Sequence, residues 1–238
     1  MNLFTSEELY VLASLLGRDF IIGVEEKTYE NNSSDLKGLF QKNYSALEAR
    51  GVFEYRIDGT LLVDHDVKNA VKILNKADCV FVVVTNIRGS REKINFLKYG
   101  ELYCRLTEKG SAYSLEVMEE FNYGSILDSF GIRLSGVPLK ELCIPMTSLK
   151  EINDLYNSFS QSDADRMLAE LIQDPGTEDL IRECLLRKNG SFVMKEYRRI
   201  RNTLSNNNSL ILRITDDFIL DFSVNDGINV MVRIYRKE

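Results

Sequence analysis

The order of hydrophobic periods along this chain nearly repeats itself. From Asp64 to Met118 an apolar helical stripe leads into a buried strand, a polar basic loop and long alternating strands; from Thr177 to Tyr235 that order returns. Side chains alternate across a strand with period two and return on a helix about every 3.6 residues. The pattern therefore predicts strands packed under helices. The expected fold class is α+β: a mainly antiparallel central sheet with helical cover, built from two pseudo-repeated halves. One domain is expected over 1–238, with halves of about 1–136 and 146–238.

A chain of 238 residues can bury about 70–75% of its unfolded surface without a disulfide or a metal. Its 44% hydrophobic and 28% charged residues are ordinary for a globular domain. A net charge of −6 disfavours nucleic acid as a partner, because neutralising phosphates needs a basic surface. Glu7 and Glu8 stand where a signal peptide would be basic and then apolar. The apolar run Cys79–Val84 is too short to span a bilayer. Cys79, Cys104, Cys143 and Cys184 form no CxxC pair and are expected as reduced, mostly buried thiols of a cytosolic protein.

Local signals place the elements. Thr5 and Glu8 make a capping box, with Phe4 and Leu9 as its hydrophobic staple. Leu9, Leu12, Ala13 and Leu16 form the stripe of a first helix ending at Gly17. Asp19–Val24 reads as a short strand. Asn31–Ser34 is a loop able to cap a second helix that Gly51 closes. Phe53–Ile57 and Thr60–Val63 read as a hairpin around Asp58–Gly59. Asp64 caps a third helix with Val67, Ala70, Val71 and Leu74 inward. Cys79–Thr85 reads as a central strand covered on both faces. Asn86–Lys93 reads as a loop, then Phe96–Thr107 and Tyr113–Phe121 as long strands joined at Lys109–Gly110.

Tyr123–Phe130 reads as a short helix and Gly136–Pro145 as the connector between halves. Ser148 and Glu151 make a second capping box, followed by Leu149, Ile152, Leu155, Tyr156 and Phe159 at helical spacing. Helices are expected near Asp163–Gln173 and Glu178–Lys188, split by Pro175–Gly176. Phe192–Ile200 is a strand. Arg198, Arg199, Arg201 and Asn206–Asn208 read as a second basic polar loop. Leu210–Ile214, Phe218–Val224 and Ile228–Tyr235 form a closing meander, with Asp226–Gly227 as its last turn.

No catalytic constellation stands out. His65, the single histidine, lies between Asp64 and Asp66 at a helix start, where acids serve as caps. The pairs Glu119–Glu120 and Asp216–Asp217 are adjacent, so on a strand their carboxylates point to opposite faces and cannot flank one bond. IRGSREK lacks the glycines and the lysine–serine ending of a phosphate loop. It reads as a solvated tip or as a partner-contact loop carrying Arg88, Arg91 and Lys93. Tyr99, Tyr103 and Arg105 read as sharing one strand face with Glu101, either as an interface or packed beneath a helix. No cofactor and no metal are expected.

The segments FTSEELYVLASLLG and LEARGVFEYRIDGTLLVDHDVKNAVKIL resemble the EspG family, cytosolic chaperones of type VII secretion systems, and its Firmicutes counterparts. Arg50–Gly51, Asp64 and the Val67–Leu74 stripe stand in the family's places, while His65 stands where the family often has proline. The resemblance implies a bacterial cytoplasmic protein that is not an enzyme. It would bind a helical secreted effector or a small WXG- or LXG-type partner and keep it export-competent, spanning no membrane; whether the free protein is a homodimer is left open. By position, the expected contacts are Arg88, Arg91, Lys93, Tyr99, Tyr103, Arg198, Arg199 and Arg201. The alternative is a winged-helix-like DNA-binding regulator, with Leu36–Val63 read as helix plus wing; the acidic balance speaks against it.

Overall fold

The computed structural model describes residues 3–18, 20–24, 33–87, 89–134, 136–158, 160–186, 190–201, 203–224 and 228–237. Expectations placed on Asp19, Asn31, Arg88, Phe159, Lys188 and Asp226–Gly227 lie outside them. Among the described residues the chain forms β1 (Leu3–Thr5), α1 (Ser6–Leu15), α2 (Ser33–Ala49), β2 (Phe53–Tyr55), β3 (Leu61–Val63), α3 (His65–Lys76), β4 (Cys79–Ile87), β5 (Ser90–Tyr99), β6 (Leu102–Lys109), β7 (Ala112–Met118) and α4 (Tyr123–Ser129). Then follow β8 (Lys140–Pro145), α5 (Met146–Asn157), α6 (Gln161–Leu171), α7 (Pro175–Leu186), β9 (Gly190–Ile200), β10 (Thr203–Ile214), β11 (Phe218–Val224) and β12 (Asn229–Arg236).

Ten strands hydrogen-bond in the order β1-β7-β6-β5-β4-β9-β10-β11-β12-β8, and β2 pairs only with β3. The expected class, α+β with a mainly antiparallel sheet, is the observed one. The topology repeats as the sequence pattern does. A first short strand, β1 or β8, ends up beside the last strand of a four-strand meander, β7 or β12, and a helix, α3 or α7, leads into each meander.

Two compact units emerge from the packing. The first comprises 1–82, 92–122 and 196–207. Here α1 starts as the capping box requires: Glu8 N donates to Thr5 Oγ1 at 3.1 Å and Thr5 N to Glu8 Oε2 at 2.9 Å. Arg50 secures the same corner, pairing with Glu8 at 3.1 Å and donating to Leu3 O at 2.8 Å. Asp64 Oδ1 accepts from Asp66 N and Val67 N, both at 3.0 Å, and so caps α3. Helix α3 then buries Val67, Ala70, Val71, Ile73 and Leu74 in a core that also holds Leu97, Cys104 and Leu106.

The second unit comprises 83–91, 123–195 and 208–238. Its core joins Ile152 of α5, Ala164 and Leu168 of α6, and Ile181 and Leu185 of α7 to Leu220, Phe222, Val230, Val232 and Ile234 of the meander. Arg182 ties the three helices together. It pairs with Asp165 at 3.0 Å, with Asp179 at 2.5 Å and with Glu178, while Tyr156 donates to Asp165 at 2.7 Å. Burial and the Asp165 carboxylate push the Tyr156 hydroxyl's pKa up.

Several expected elements come out differently. Residues 20–24 form turns, not a strand; Ile21, Ile22 and Val24 are buried and Ile22 N donates to Leu74 O. Phe96–Thr107 is not one strand: Gly100, at φ 59°, turns the chain between β5 and β6. Asn86–Lys93 is not a loop throughout: β4 runs to Ile87 and β5 begins at Ser90. The connector Gly136–Pro145 ends in edge strand β8, which pairs with β12. Helix α5 begins at Met146 with no side-chain cap, so Ser148 and Glu151 lie inside it. Pro175 opens α7, where its missing N–H costs nothing.

Candidate functional site

The turn after Tyr99 divides the expected partner surface. The register pairs Tyr99 with Leu102, Lys98 with Tyr103 and Phe96 with Arg105. Because directly paired residues share a face and side chains alternate, Tyr99 and Tyr103 project to opposite faces of the sheet. Tyr99 lies on the α3 side, with Lys72 Nζ 5.6 Å and Lys76 Nζ 5.9 Å from its ring centroid. Tyr103 is only 6% exposed. Its ring meets Phe121 edge-on at 5.2 Å, and Lys98 Nζ lies 5.2 Å from its centroid. Arg105, on the Tyr103 face, pairs with Glu116 at 3.9 Å. The expectation that Tyr99 shares one strand face with Tyr103 and Arg105 is therefore corrected.

The basic residues also separate. Arg88 lies outside the described residues. Arg91 is exposed on β5, while Lys93 pairs with Glu108 at 3.2 Å. The second basic loop is not a loop: Arg198 and Arg199 sit on β9 and Asn206–Asn208 on β10. Arg198 Nε donates to the buried Glu196 at 2.6 Å, and Asn207 Nδ2 donates to the other oxygen of that carboxylate at 3.1 Å. Arg199 works structurally: its backbone N donates to Asp78 O at 2.8 Å and its Nε to Ala77 O at 2.9 Å. Arg201 takes the turn at φ 58° and is exposed.

Of the eight expected residues, Tyr99 and Arg199 come together. They line a cleft of the first unit with Gly17, Arg18, Phe20, Asn75 and Lys76. Sequence reasoning had no access to this cleft, because its residues come from distant parts of the chain and meet only through strand pairing.

The second unit carries an apolar groove that the sequence did not announce. Met146 and Leu149 of α5, Leu185 of α7, and Ile211, Phe222 and Val230 of the meander enclose about 260 Å³. Lys150, Asn153 and Arg213 supply its polar lining. No carboxylate among the described residues lines it, so an occupant would meet greasy walls and two cations. A further apolar surface lies in the first unit. Phe40 stacks on Tyr44 at 6.3 Å, Tyr44 tilts against the buried Phe53 at 4.9 Å, and Phe53 meets Tyr55 edge-on at 6.3 Å, while Phe40, Tyr55 and the fully exposed Ile57 face solvent.

The residues weighed for chemistry are dispersed. His65 is exposed, 3.6 Å from Asp66. Glu119 and Glu120 lie exposed just past β7, and Asp216–Asp217 sit in the turn before β11. Among the described residues no cluster of three or more His, Cys, Asp or Glu side chains is placed to hold a metal ion, and no helix is long and apolar enough to cross a membrane. The four cysteines are free; Cys104 and Cys184 are buried, Cys79 is half-buried and, against expectation, Cys143 is exposed.

No protein-family model matches the chain, and no curated protein does. Among solved structures the chain is similar to the Mycobacterium tuberculosis type VII secretion system chaperone EspG5, solved in complex with a PE25–PPE41 dimer. The match has a TM-score of 0.67 and 13% identity, covering 100% of this chain and 91% of that one. The fold is EspG-like. At this identity the likeness establishes fold and not activity. Within Leu36–Val63, α2 and the β2–β3 hairpin form as part of this larger architecture.

Proposed function

We propose that this chain is a cytoplasmic chaperone or adaptor of a bacterial type VII secretion system. It binds a helical export substrate of the WXG or LXG kind, shields its apolar stripe and makes or breaks no covalent bond. The observation that carries this reading is the correspondence of fold over the whole chain with a chaperone of such a system. The physical logic is direct. An amphipathic helical hairpin cannot bury its own apolar stripe, and a standard interface needs about 800 Å² from each partner. The groove of the second unit supplies apolar walls for one or two anchoring side chains. Arg91 and Arg201, each exposed near a strand end, remain available for charged contacts with a partner, as does Arg88 by its place in the sequence. In the free protein the exposed side chains of Phe40, Tyr55 and Ile57 are available to a second copy of the chain.

Co-expression with WXG- or LXG-type proteins encoded near its gene tests the reading. One of them is expected to become soluble and co-purify, and Lys150→Glu at the groove should weaken that complex while leaving the melting temperature unchanged. If no such protein co-purifies or gains solubility, the reading fails.

A further inference from the structure

The cleft that unites Tyr99 and Arg199 carries an inference independent of the chaperone reading, since it rests on charge and shape and not on the fold likeness. Three cations line it: Arg18 just past α1, Lys76 at the end of α3 and Arg199 on β9. Lys72 joins them over the Tyr99 ring. No carboxylate among the described residues lines it. Asp78, two residues past Lys76, uses its carboxylate on the Gly100 N–H at 3.2 Å. Such a concentration of positive charge is out of keeping with a chain of net charge −6.

Arg199 is held in place by its Nε bond to Ala77 O, yet its buried Nη2 has no hydrogen-bond partner among the described residues. A buried donor left unpaired is costly, so an acceptor arriving there would be rewarded. Lys76 belongs at a helix C-terminus for dipole reasons alone, but that does not account for Arg18 and Arg199 beside it. The walls are not polar throughout. Tyr99 forms an aromatic side and Phe20, 51% exposed, forms another. The space is about 510 Å³, in the size range of ligand clefts and far beyond a single small anion.

From this charge complementarity we infer that the cleft receives an acidic segment of a partner polypeptide: a carboxylate side chain with an apolar or aromatic neighbour. The carboxylate meets Arg18, Lys76 and the edge of the Arg199 guanidinium, and the neighbour packs on Phe20 and Tyr99. Guanidinium–carboxylate hydrogen bonds are the strong, charge-assisted kind. Overlap of the segment with the basic rim makes binding salt-sensitive, since screening acts within about 10 Å at 0.1 M salt.

The test uses the full chain and a fluorescein-labelled hexapeptide alternating Glu with Leu and Phe, read by anisotropy, with the matching Lys peptide as control. Binding of the Glu peptide alone is expected, weakening with salt and by on the order of tenfold in the double variant Arg18→Gln/Lys76→Gln. Both residues lie outside the core, so the variant should keep the wild-type melting temperature; Tyr99→Leu should weaken binding independently of charge. Failure of the Glu peptide to bind, equal binding by the Lys peptide, or undiminished binding to the double variant would each overturn the inference. So would inorganic pyrophosphate binding as tightly as the peptide and displacing it, because the cleft would then be a free-anion site.

Discussion

Phe121 is the residue whose removal best distinguishes a closed Tyr103 face from an open one. Its ring, 8% exposed, sits just past β7 and meets three others edge-on: Phe81 at 5.8 Å, Phe96 at 5.5 Å and Tyr103 at 5.2 Å. Truncating a buried phenylalanine to alanine costs about 3–5 kcal/mol in lost transfer energy and residual cavity. Edge-to-face pairs add about 0.5–1.5 kcal/mol each beyond area. Phe121→Leu keeps most of the volume but loses all three ring contacts, so it should cost about 1.5 kcal/mol at the lower end of that range. For a chain of this size about 2–4 °C of melting temperature accompanies each kcal/mol, so Phe121→Ala should melt roughly 6–20 °C lower. Urea titration and calorimetry give both numbers, and near-ultraviolet dichroism reports the environment of Tyr103. If Phe121→Ala stays within about 1 kcal/mol of wild type, well short of a cavity's cost, the ring does not cover Tyr103. Tyr103 would then stand open on that face of the sheet.

Three other outcomes follow from the same geometry. Asp64→Ala strips the acceptor shared by Asp66 N and Val67 N and should cost about 1–2 kcal/mol in urea unfolding, whereas Asp64→Ser should recover most of it. Burial raises the pKa of Asp221 despite Arg233 at 3.4 Å, with Glu141 on the far side of that guanidinium. A carboxyl whose folded pKa exceeds its unfolded one stabilises the fold below the unfolded value and loses that contribution as pH rises through the folded value. The urea midpoint should therefore fall across that window, and Asp221→Asn should flatten the fall. Burial pushes the Cys104 and Cys184 thiols up to about 12, so a native-state thiol titration near pH 8 should find Cys143 reacting first. Cys143→Ser should remove that fast phase.

The signals that were legible in the sequence are those whose physics is local. The Thr5–Glu8 capping box, the Asp64 cap and the Asp58–Gly59 turn each complete their hydrogen bonds within a few residues. The apolar runs of α3 and β4 declared themselves by period. Elements decided by distant partners were misread. Asn206–Asn208 have poor strand propensity, yet β10 carries them, with Asn207 bonded to the buried Glu196 of β9. Lys140–Pro145 reads as linker because it is an edge strand, where a terminal proline is tolerated. Gly100 was the missed clue: a lone glycine inside a strand pattern marks a bend, and here it sends Tyr99 and Tyr103 to opposite faces. The apolar groove was out of reach because its walls span Met146 to Val230 and carry no motif.

The central claim is protection of another protein, and light scattering measures it most directly. A WXG- or LXG-type protein from the same genome, diluted from denaturant, should aggregate alone and stay clear with one equivalent of this chain, with Lys150→Glu protecting less well. Aggregation that proceeds unchanged at equimolar and higher ratios, for each such protein tried, would contradict the account.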